Sequence, residues 1–265
     1  MDTSVLEQRF QEIYGRKAEH LYFAPGRVNL IGEHIDYNGG RVFPCALSFG
    51  TYLLVARRDD ARTGFVSMNL PFQGVLDNAA FTGKLNEWVK YPLGVMKEFV
   101  DRGIDPFGFD ILYFGDIPSG AGLSSSASME VVTAYMLNDQ LETNLDTIEL
   151  VKMSQHAEND FVGMNCGIMD QFAVGMGKKE HAIALDCATL DYDLIPLNIN
   201  GYKLIITNSN KNHDLVTSKY NERRSECEQA LASINQKVKV NNLCDLGLEE
   251  FEKLASLMPN DTVYR

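Results

Sequence analysis

The segment FDILYFGDIPSGAGLSSSASMEVVTAYMLNDQ, residues 109–140, decides the fold. Residues 109–118 are rich in aromatic and β-branched side chains and predict a strand, whereas residues 123–140 predict a helix. The loop PSGAG connects the two, and its glycines allow the backbone to approach a ligand closely. Because the N–H groups at the start of a helix favour negative charge, the segment predicts an anion-binding loop between a strand and a helix.

The hydroxyl side chains that follow the glycines strengthen this prediction. The alternative is an ordinary strand-to-helix turn with serine as the N-cap, but Gly120, Gly122 and the run SSSAS at 124–128 exceed what a cap requires. The loop is not a Walker A motif, because no lysine follows the second glycine, and it lacks the third glycine of the dinucleotide fingerprint. Serine hydroxyls at this place can donate hydrogen bonds to an anion or bind Mg²⁺.

Strands and helices alternate irregularly along the rest of the chain, and a long β-rich segment comes early. This pattern predicts an α+β fold. No flexible linker is evident, and we expect a soft domain boundary near residue 195, which divides the chain into residues 1–195 and 196–265. The predicted helices are 4–14, 85–102, 146–162, 214–234 and 248–258, and the predicted strands are 42–58, 64–70, 109–118, 181–187, 191–197 and 203–210.

The composition restricts the function. The chain has 265 residues, 45% of them hydrophobic, and a formal net charge of −12. These values indicate a soluble globular protein and disfavour nucleic acid as a partner, because phosphate backbones are bound by clustered Lys and Arg. A nucleotide remains compatible with the charge, since one local anion site can hold it.

The sequence gives no sign of export or of insertion into a membrane. The start, MDTSVLEQRF, lacks a basic region followed by an apolar one, and no apolar run approaches the length of a membrane span. The five cysteines are odd in number, widely spaced and without a C-x-x-C pair. This is typical of free thiols in a reducing compartment, so we expect a cytoplasmic protein.

A second polar motif is GRVNLIGEHIDYNGG, residues 26–40, in which Glu33, His34 and Asp36 lie within four positions. The apolar residues before them indicate a strand that enters a core, which would place the polar cluster at the rim of a cleft. A solvated loop is the other interpretation. A zinc site is unfavourable, because no further ligands occur at the spacing that a metal site needs.

A third motif is HAENDFVGMNCGIMDQF, residues 156–172. It places Glu158 on a helix and Asp170 behind a glycine turn, which predicts two carboxylates with different tasks. The alternative is a helix-surface acid and a loop Asx-turn. The spacing His156-x-Glu158 matches half of a zinc deaminase motif, but the required P-C-x-x-C is missing.

A fourth motif is NSNKNHDLVTSKYNERR, residues 208–224. Three polar residues, Asn208 to Asn210, follow an apolar strand, and Tyr220 lies on the next helix together with Arg223 and Arg224. The alternative is a solvated helix that carries one partly buried tyrosine.

Together these four motifs resemble those of the galactokinases in the GHMP small-molecule kinase superfamily, in the expected order and along nearly the whole chain. The resemblance implies that MgATP phosphorylates the C1 hydroxyl of α-D-galactose, giving galactose 1-phosphate and ADP. It also implies an N-terminal domain like the second domain of ribosomal protein S5, followed by a ferredoxin-like C-terminal domain. Members are often monomers, so we expect a monomer.

The resemblance also implies a role for each motif residue. Asp170 matches the catalytic aspartate and Arg27 the arginine beside it. Ser126 and Glu158 match the Mg²⁺ ligands. The family's sugar contacts correspond to five residues of this sequence, Glu33, His34, Asp36, Gly167 and Tyr220. The loop that wraps the triphosphate matches Pro118, Ser119, Gly120, Ala121, Gly122, Leu123, Ser124, Ser125, Ser126, Ala127 and Ser128.

The chemistry of these residue types fits a sugar kinase. A sugar hydroxyl both donates and accepts hydrogen bonds, so adjacent carboxylates and a histidine can pair with several hydroxyls at once. Phosphoryl transfer needs positioning, a metal, positive charge and a group that orients or deprotonates the nucleophile. Asp170 would accept the C1 proton, and Arg27 would keep Asp170 ionised.

One feature departs from the family. Its members carry a third glycine-rich motif, G-x-G-x-G-G, in their C-terminal region, and this sequence contains no such motif. We therefore expect a fragment or a prematurely ended product, with an incomplete second domain and weak or no activity.

Two other functions are compatible with the same motifs. N-acetylgalactosamine kinases share much of the first motif, and the pocket at the sugar 2-position distinguishes them. Some galactokinase-like proteins only sense galactose and ATP, and such sensors can lose residues of the serine run. Ser124 to Ala127 are intact here, which favours an enzyme. A metal-dependent hydrolase built on Glu33, His34 and Asp36 lacks the further ligands that it would need.

Overall fold

The structure is a computed structural model that describes residues 2–82, 88–118, 120–208 and 214–265. The side chains of Asn78, Thr82 and residues 214–218 are also left undescribed. Within these ranges helices and strands are mixed along the chain, and the strands form two separate sheets. The prediction of an α+β fold is therefore confirmed.

The larger sheet has five strands and contains the strand that precedes the Gly/Ser loop, as we call residues 118–128. All neighbours in this sheet are antiparallel except β4 and β6, which are parallel. The order across the sheet is β1-β3-β6-β4-β5. Its strands are β1 (His20–Asn29), β3 (Pro44–Arg57), β4 (Thr63–Ser67), β5 (Gln73–Leu76) and β6 (Phe109–Gly115).

The smaller sheet has three antiparallel strands in the order β2-β7-β8. They are β2 (Arg41–Val42), β7 (His181–Asp186) and β8 (Tyr192–Pro196). Val42, Ile183 and Leu185 of this sheet pack with Val151 and Phe172 in a core of their own.

The α-helices surround these sheets. They are α1 (Ser4–Tyr14), α2 (Lys90–Asp101), α3 (Ser125–Gln140), α4 (Thr147–His156), α5 (Met169–Met176), α6 (Asp214–Ile234), α7 (Leu248–Leu254) and α8 (Asp261–Tyr264). A π-helical segment, Ala157–Val162, continues α4, and short 3₁₀ turns cover Asp36–Asn38, Asn78–Thr82, Leu243–Asp245 and Ala255–Leu257. None of the helices in the described ranges is long and apolar enough to span a membrane.

Strand β3 is covered by helices on both faces. Leu53 and Val55 belong to the main core, which also contains buried residues of α2, α3 and α4. Leu54 and Ala56 point to the other face and pack in the cluster that contains the buried residues of α1. Because side chains alternate along a strand, a continuous apolar run is what burial on both faces requires.

Most predicted elements are confirmed, including the helices at 4–14 and 214–234 and the strand–loop–helix unit at 109–140. The helix predicted from residue 85 begins at Lys90 in the described part of the chain, and residues 85–87 lie outside it.

Two strand predictions are wrong in part. Residues 42–58 form two strands, because Val42 pairs with β7 while β3 begins at Pro44 and pairs with β1. Residues 203–208 are not in a strand, and the prediction for 209–210 falls outside the described residues. Leu204 and Ile205 of this segment are 48% and 83% exposed, so the apolar pattern is not matched by burial. Helix α5 and strand β5 were not predicted.

Asp110 is the buried charged residue of the larger sheet. It is 4% exposed and accepts hydrogen bonds from Arg16 and Arg58, each at 2.6 Å. Replacing this carboxylate would weaken two charge-assisted hydrogen bonds, while the partly exposed Arg58 would keep its pair with Asp60.

Asp110→Asn should therefore lower the free energy of unfolding by about 1.5 to 3 kcal/mol, which urea denaturation measures. The same substitution at the exposed Asp59 is the control, and it should change this free energy by no more than about 0.5 kcal/mol. Equal effects at the two positions would contradict the role of Asp110.

Candidate functional site

The centre of the site is an ion pair between two residues 143 positions apart in the chain. Arg27 Nε donates to Asp170 Oδ1 and Nη2 donates to Oδ2, both at 2.8 Å. Arg27 follows an irregularity in the pairing of β1 with β3, and Asp170 lies in the first turn of α5. The side chains are 14% and 26% exposed, so the pair is partly screened from water. Forked, charge-assisted pairs of this kind fix both partners in orientation as well as distance.

The Gly/Ser loop is attached to this pair. Arg27 Nη1 donates to the Gly122 carbonyl at 2.7 Å. The Ser124 hydroxyl donates to Asp170 Oδ2 at 2.5 Å. Ser124 occupies the N-cap position of α3 but makes no side-chain cap hydrogen bond. The interpretation of this loop as an ordinary capped turn is therefore wrong, because the hydroxyl is directed to the carboxylate of Asp170 instead.

The backbone of the loop needs its glycines, and the helix behind it is fixed to the sheet. Gly120 and Gly122 have φ angles of +69° and +67°, a region that side chains disfavour. The buried Ser128 hydroxyl contacts the Ala24 carbonyl at 2.8 Å and Thr51 Oγ1 at 2.9 Å. The start of the 16-residue helix α3 is thus held against β1 and β3. Of the eleven predicted loop residues, Ser119 lies outside the described part of the chain.

Glu158 lies beside the loop in the π-helical segment and is only 4% exposed. Its interpretation as a helix-surface acid is wrong. Gln171 Nε2 donates to Glu158 Oε2 at 2.6 Å and to Glu130 Oε2 at 3.1 Å, so one amide connects two buried carboxyl groups. Burial first and the charge of Asp170 second raise the pKa of Glu158 to about 6, against a hydrogen bond with Ser126 that lowers it.

Glu130 and Gln171 were not predicted as site residues. Both are fully buried. Burial first and then the charge of Glu158 raise the pKa of Glu130 well above its usual value. A signal for Glu130 was present in the sequence, because it is the one carboxylate in the otherwise uncharged run SSASMEVVTAYML and lies four residues after Ser126.

Asp36 approaches the same centre from the 3₁₀ turn Asp36–Asn38. A Cβ atom placed on Gly167 would lie 2.0 Å from Asp36 Oδ2, so only glycine allows this approach. Burial, and then the charge of Asp170, raise the pKa of Asp36, while backbone N–H groups of Tyr37 and Met169 lower it. Asp36 therefore lies against Gly167 and close enough to Asp170 for the two charges to interact.

His34 and Tyr220 complete this side of the site. The His34 ring lies 5.4 Å from the Tyr220 ring, and His34 Nδ1 is 2.6 Å from the Tyr37 hydroxyl. Burial raises the pKa of Tyr220, as does the nearby charge of Asp36. Glu33 lies four residues after the end of β1, is exposed and accepts a hydrogen bond from Asn29 at 2.8 Å. His34 is also exposed, whereas Asp36 is half-buried against Gly167, so the polar cluster is solvated at one end and packed at the other.

Helix α6 covers this cluster through Arg224. Arg224 Nη1 donates to the carbonyl groups of Asn165 and Cys166 at 3.2 and 3.3 Å. Its guanidinium carbon lies 5.1 Å from the centroid of the Tyr37 ring. Arg224 therefore packs on this cluster and does not lie on a solvated face, whereas a half-buried Tyr220 agrees with both interpretations of the motif. Residues 209–213 of this motif, among them Ser209 and Asn210, lie outside the described part of the chain.

An apolar pocket of about 380 Å³ opens on the other side of the Gly/Ser loop. Ser125 and Ser126 form part of its wall, so the pocket and the loop are continuous. The other lining residues include Ser67, Asn69, Leu70, Trp88, Tyr91 and Met129.

Two family models match the chain. The galactokinase galactose-binding signature matches residues 8–57, and the GHMP kinases N-terminal domain matches residues 90–178. These ranges contain Arg27, the polar cluster at 33–36, the Gly/Ser loop, Glu158 and Asp170.

Similar proteins extend the match to nearly the whole chain. Galactokinase of Clostridium tetani is 52% identical over 266 residues, which cover 99% of this chain and 68% of that protein. Galactokinase of Bacillus subtilis is 49% identical over 259 residues, which cover 96% of this chain and 66% of that protein.

Solved structures give the same result. The structure of Lactococcus lactis galactokinase complexed with galactose matches with a TM-score of 0.87 and 36% identity, covering 100% of this chain and 69% of that one. Methanococcus jannaschii mevalonate kinase matches with a TM-score of 0.60 at 18% identity, covering 92% of this chain and 77% of that one, which shows a shared fold. From the relatives that are about half identical and from the site geometry, we conclude that the chain belongs to the galactokinase family of GHMP kinases.

Proposed function

We propose that the chain transfers the γ-phosphoryl group of ATP to the C1 hydroxyl of α-D-galactose, giving galactose 1-phosphate and ADP. One observation carries this proposal. Asp170 is held between Arg27 and the Ser124 hydroxyl, so a carboxylate base stands directly beside a loop suited to bind phosphate. The galactose complex of the Lactococcus lactis relative supports galactose as the sugar.

The sugar would lie between the Gly167 turn and the 33–36 cluster. Asp36 and Glu33 offer acceptors, His34 offers a donor or an acceptor, and Tyr220 offers a hydroxyl. Tyr220 also has a hydrogen bond with the backbone of Gly167, which fixes the ring at the rim. A site that pairs each sugar hydroxyl in this way rejects analogues in which a hydroxyl is missing or inverted.

The reacting hydroxyl would lie next to Asp170. Asp170 would accept the C1 proton or orient the hydroxyl toward the phosphorus. Arg27 orients this carboxylate through the forked pair and would supply positive charge beside the transferred group. Phosphoryl transfer depends on such positioning and charge more than on covalent participation by the protein.

The nucleotide would occupy the pocket that adjoins the Gly/Ser loop. Its apolar wall, with Trp88 and Leu70, suits a purine ring, while Asn69 and Ser67 offer hydrogen bonds. The phosphates would then reach the N-terminus of α3, where the helix dipole and backbone N–H groups favour negative charge. Family membership agrees with ATP as the phosphoryl donor.

Ser126 and Glu158 fit a Mg²⁺ site beside these phosphates. Both offer oxygen atoms, which Mg²⁺ prefers, and a hydrogen bond joins them. In the described residues no group of three or more His, Cys, Asp or Glu could hold a metal alone. Two protein ligands agree with a cation held mainly by phosphates and water. When bound, the cation would neutralise charge on the phosphates.

The domain division, location and oligomeric state extend the proposal. We propose that residues 1–195 carry the galactose and ATP sites and that residues 196–265 belong to the C-terminal GHMP domain, which contributes Tyr220. All five cysteines are free, which supports a cytoplasmic location. The protein would act as a monomer.

The first prediction concerns the base. In a full-length galactokinase that contains this sequence, Asp170→Asn should lower turnover by about 10³-fold, because the amide cannot accept the proton. Galactose should still bind, since the contacts from Asp36 and Tyr220 remain. An ADP-release assay measures turnover, and calorimetry measures binding.

Asp186→Asn is the matched control for this variant. Asp186 also accepts a hydrogen bond from an arginine, Arg41, at 3.3 Å, but it lies in β7, away from the Gly/Ser loop. This variant should keep wild-type turnover. Near-normal turnover of the Asp170 variant would mean that the base lies elsewhere.

The second prediction concerns the Gly167 turn. Gly167→Ala should weaken galactose binding by about tenfold or more, because the new methyl group must displace the Asp36 carboxylate. Nucleotide binding should change less than about twofold. Gly247→Ala is the control, since a Cβ there would meet only Glu250 Oε2, at 3.8 Å. Unchanged galactose affinity in the Gly167 variant would exclude Asp36 from the sugar site.

The third prediction concerns pH. The pKa of Glu158 is about 6 in the folded chain, raised from 4.5. The folded state therefore holds a proton that the unfolded state has lost, and the free energy of unfolding should fall as pH rises from 4.5 to 6. Glu158→Gln should make this fall less steep in urea titrations, whereas Glu252→Gln, at an exposed position, should leave it unchanged. An identical fall in all three proteins would contradict the raised pKa.

A further inference from the structure

Glu130 is a buried carboxyl group for which the proposed reaction has no task. It lies on α3 and is 0% exposed, and its neighbours in sequence, Met129 and Val131, pack in or against the main core. Burying a carboxyl group costs free energy unless hydrogen bonds compensate it. An apolar side chain of similar size would fill this place at lower cost, so the contacts of Glu130 need an explanation.

These contacts all lead to the proposed metal ligand. Glu130 is four residues after Ser126, so both side chains lie on the same face of α3. Gln171 Nε2 donates to Glu130 Oε2 at 3.1 Å and to Glu158 Oε2 at 2.6 Å. Gln171 is itself fully buried. One amide group therefore stands between two carboxyl groups that come from different helical elements.

Some buried oxygen atoms of the cluster formed by Glu130, Gln171 and Glu158 accept no hydrogen bond in the described structure. Glu130 Oε1 and Gln171 Oε1 are buried and have no hydrogen-bond partner in the described structure. Glu158 has further contacts, with the Cys166 thiol at 3.6 Å and with Ser126. Glu158 therefore has several hydrogen-bond partners, whereas one oxygen atom of Glu130 has none in the described structure. A group placed only for stability would be expected to have both oxygens paired.

We propose that Glu130 is a positioning residue that, through Gln171, holds the Glu158 carboxylate beside Ser126 in the orientation that binds a divalent cation. The inference rests on the metal role of Glu158 in the proposed function. Carboxylates that ligate a metal are commonly oriented by hydrogen bonds from groups behind them, and loss of such a group weakens metal binding about 10- to 100-fold.

We call the Gln171 amide, which donates to both Glu130 and Glu158, the bridge. It also restrains the start of α5. Gln171 directly follows Asp170 in the first turn of α5. The two hydrogen bonds of the Gln171 amide therefore restrict the turn that presents the base, as well as the side chain that binds the cation. Glu130 would thus act on two elements from one buried position without touching substrate.

The test compares Mn²⁺ binding by the full chain, measured by electron paramagnetic resonance with a non-hydrolysable ATP analogue. Glu130→Leu removes the hydrogen bonds and should weaken Mn²⁺ binding by about tenfold or more. Glu130 also shares a hydrogen bond with Glu158. Glu130→Gln keeps an acceptor for Gln171 and a donor for Glu158, and it should stay within about threefold of wild type. Galactose affinity without metal should change less than about twofold in both variants.

Asp110→Asn is the control for loss of stability. It removes the buried carboxylate of the larger sheet, outside this cluster, and should lower the thermal midpoint while leaving Mn²⁺ affinity unchanged. If circular dichroism shows that Glu130→Leu does not fold, Gln171→Met removes the same bridge from its other side and carries the same expected loss. Wild-type Mn²⁺ affinity in the folded bridge variant would overturn the inference.

Glu158→Ala separates this inference from the proposed function. Loss of Mn²⁺ binding in this variant, with wild-type binding in the bridge variant, would leave the metal site in place and overturn only the role of Glu130. Retention of binding in Glu158→Ala, or no Mn²⁺ uptake by the wild-type chain, would overturn the metal site and the inference with it.

Discussion

The forked ion pair between Arg27 and Asp170 is the constraint on which the rest of the site depends. It joins the end of β1 to the first turn of α5, and the Gly122 carbonyl and the Ser124 hydroxyl fasten the Gly/Ser loop to both partners. A charge pair with this little exposure is stable only when its remaining hydrogen-bonding atoms are also satisfied. The loop provides these hydrogen bonds, so the conformation of the Gly/Ser loop and the orientation of the Asp170 carboxylate belong to one network.

The site also requires that the Asp36 carboxylate approach the backbone at position 167 closely, and a glycine at this position allows it. The Asp36 carboxylate occupies the space that a side chain at position 167 would fill. Its charge then lies near that of Asp170, and the structure accepts the resulting repulsion and desolvation, as the raised pKa of Asp36 shows. Clusters of carboxyl groups with perturbed pKa values are typical of functional sites, where substrate or cation later compensates the charge.

The sequence predicted the local parts of this arrangement well. The α+β class, the strand–loop–helix unit at 109–140 and helix α6 follow from patterns within short windows, and resemblance to galactokinases named the motif residues. Helix α5 was missed because its eight residues are too few for a periodic pattern to be distinctive. Its burial comes from packing against α3 and α4, which no local pattern contains.

The bridge of Gln171 between two carboxyl groups could not be predicted for a related reason. Glu130 and Gln171 are 41 residues apart, and their contact exists only after α3 and α5 have packed. The opposite error occurred at residues 203–208, where an apolar run predicted a strand. A strand needs hydrogen-bonding neighbours, and Ile205 remains 83% exposed in the described structure. The amino-acid composition of a segment indicates its propensity to form a strand, but the neighbouring strands and packing partners decide whether the strand forms.

The hydrogen bond from Ser124 to Asp170 has a thermodynamic consequence. The Gly/Ser loop and the Asp170 carboxylate share this one proton donor, so a movement of the loop that breaks the hydrogen bond also changes the hydrogen bonding of Asp170. Linkage is reciprocal: if binding at Asp170 changed the affinity of the loop for an anion, the anion would change the affinity at Asp170 by the same factor. A single serine hydroxyl therefore connects the two parts of the site.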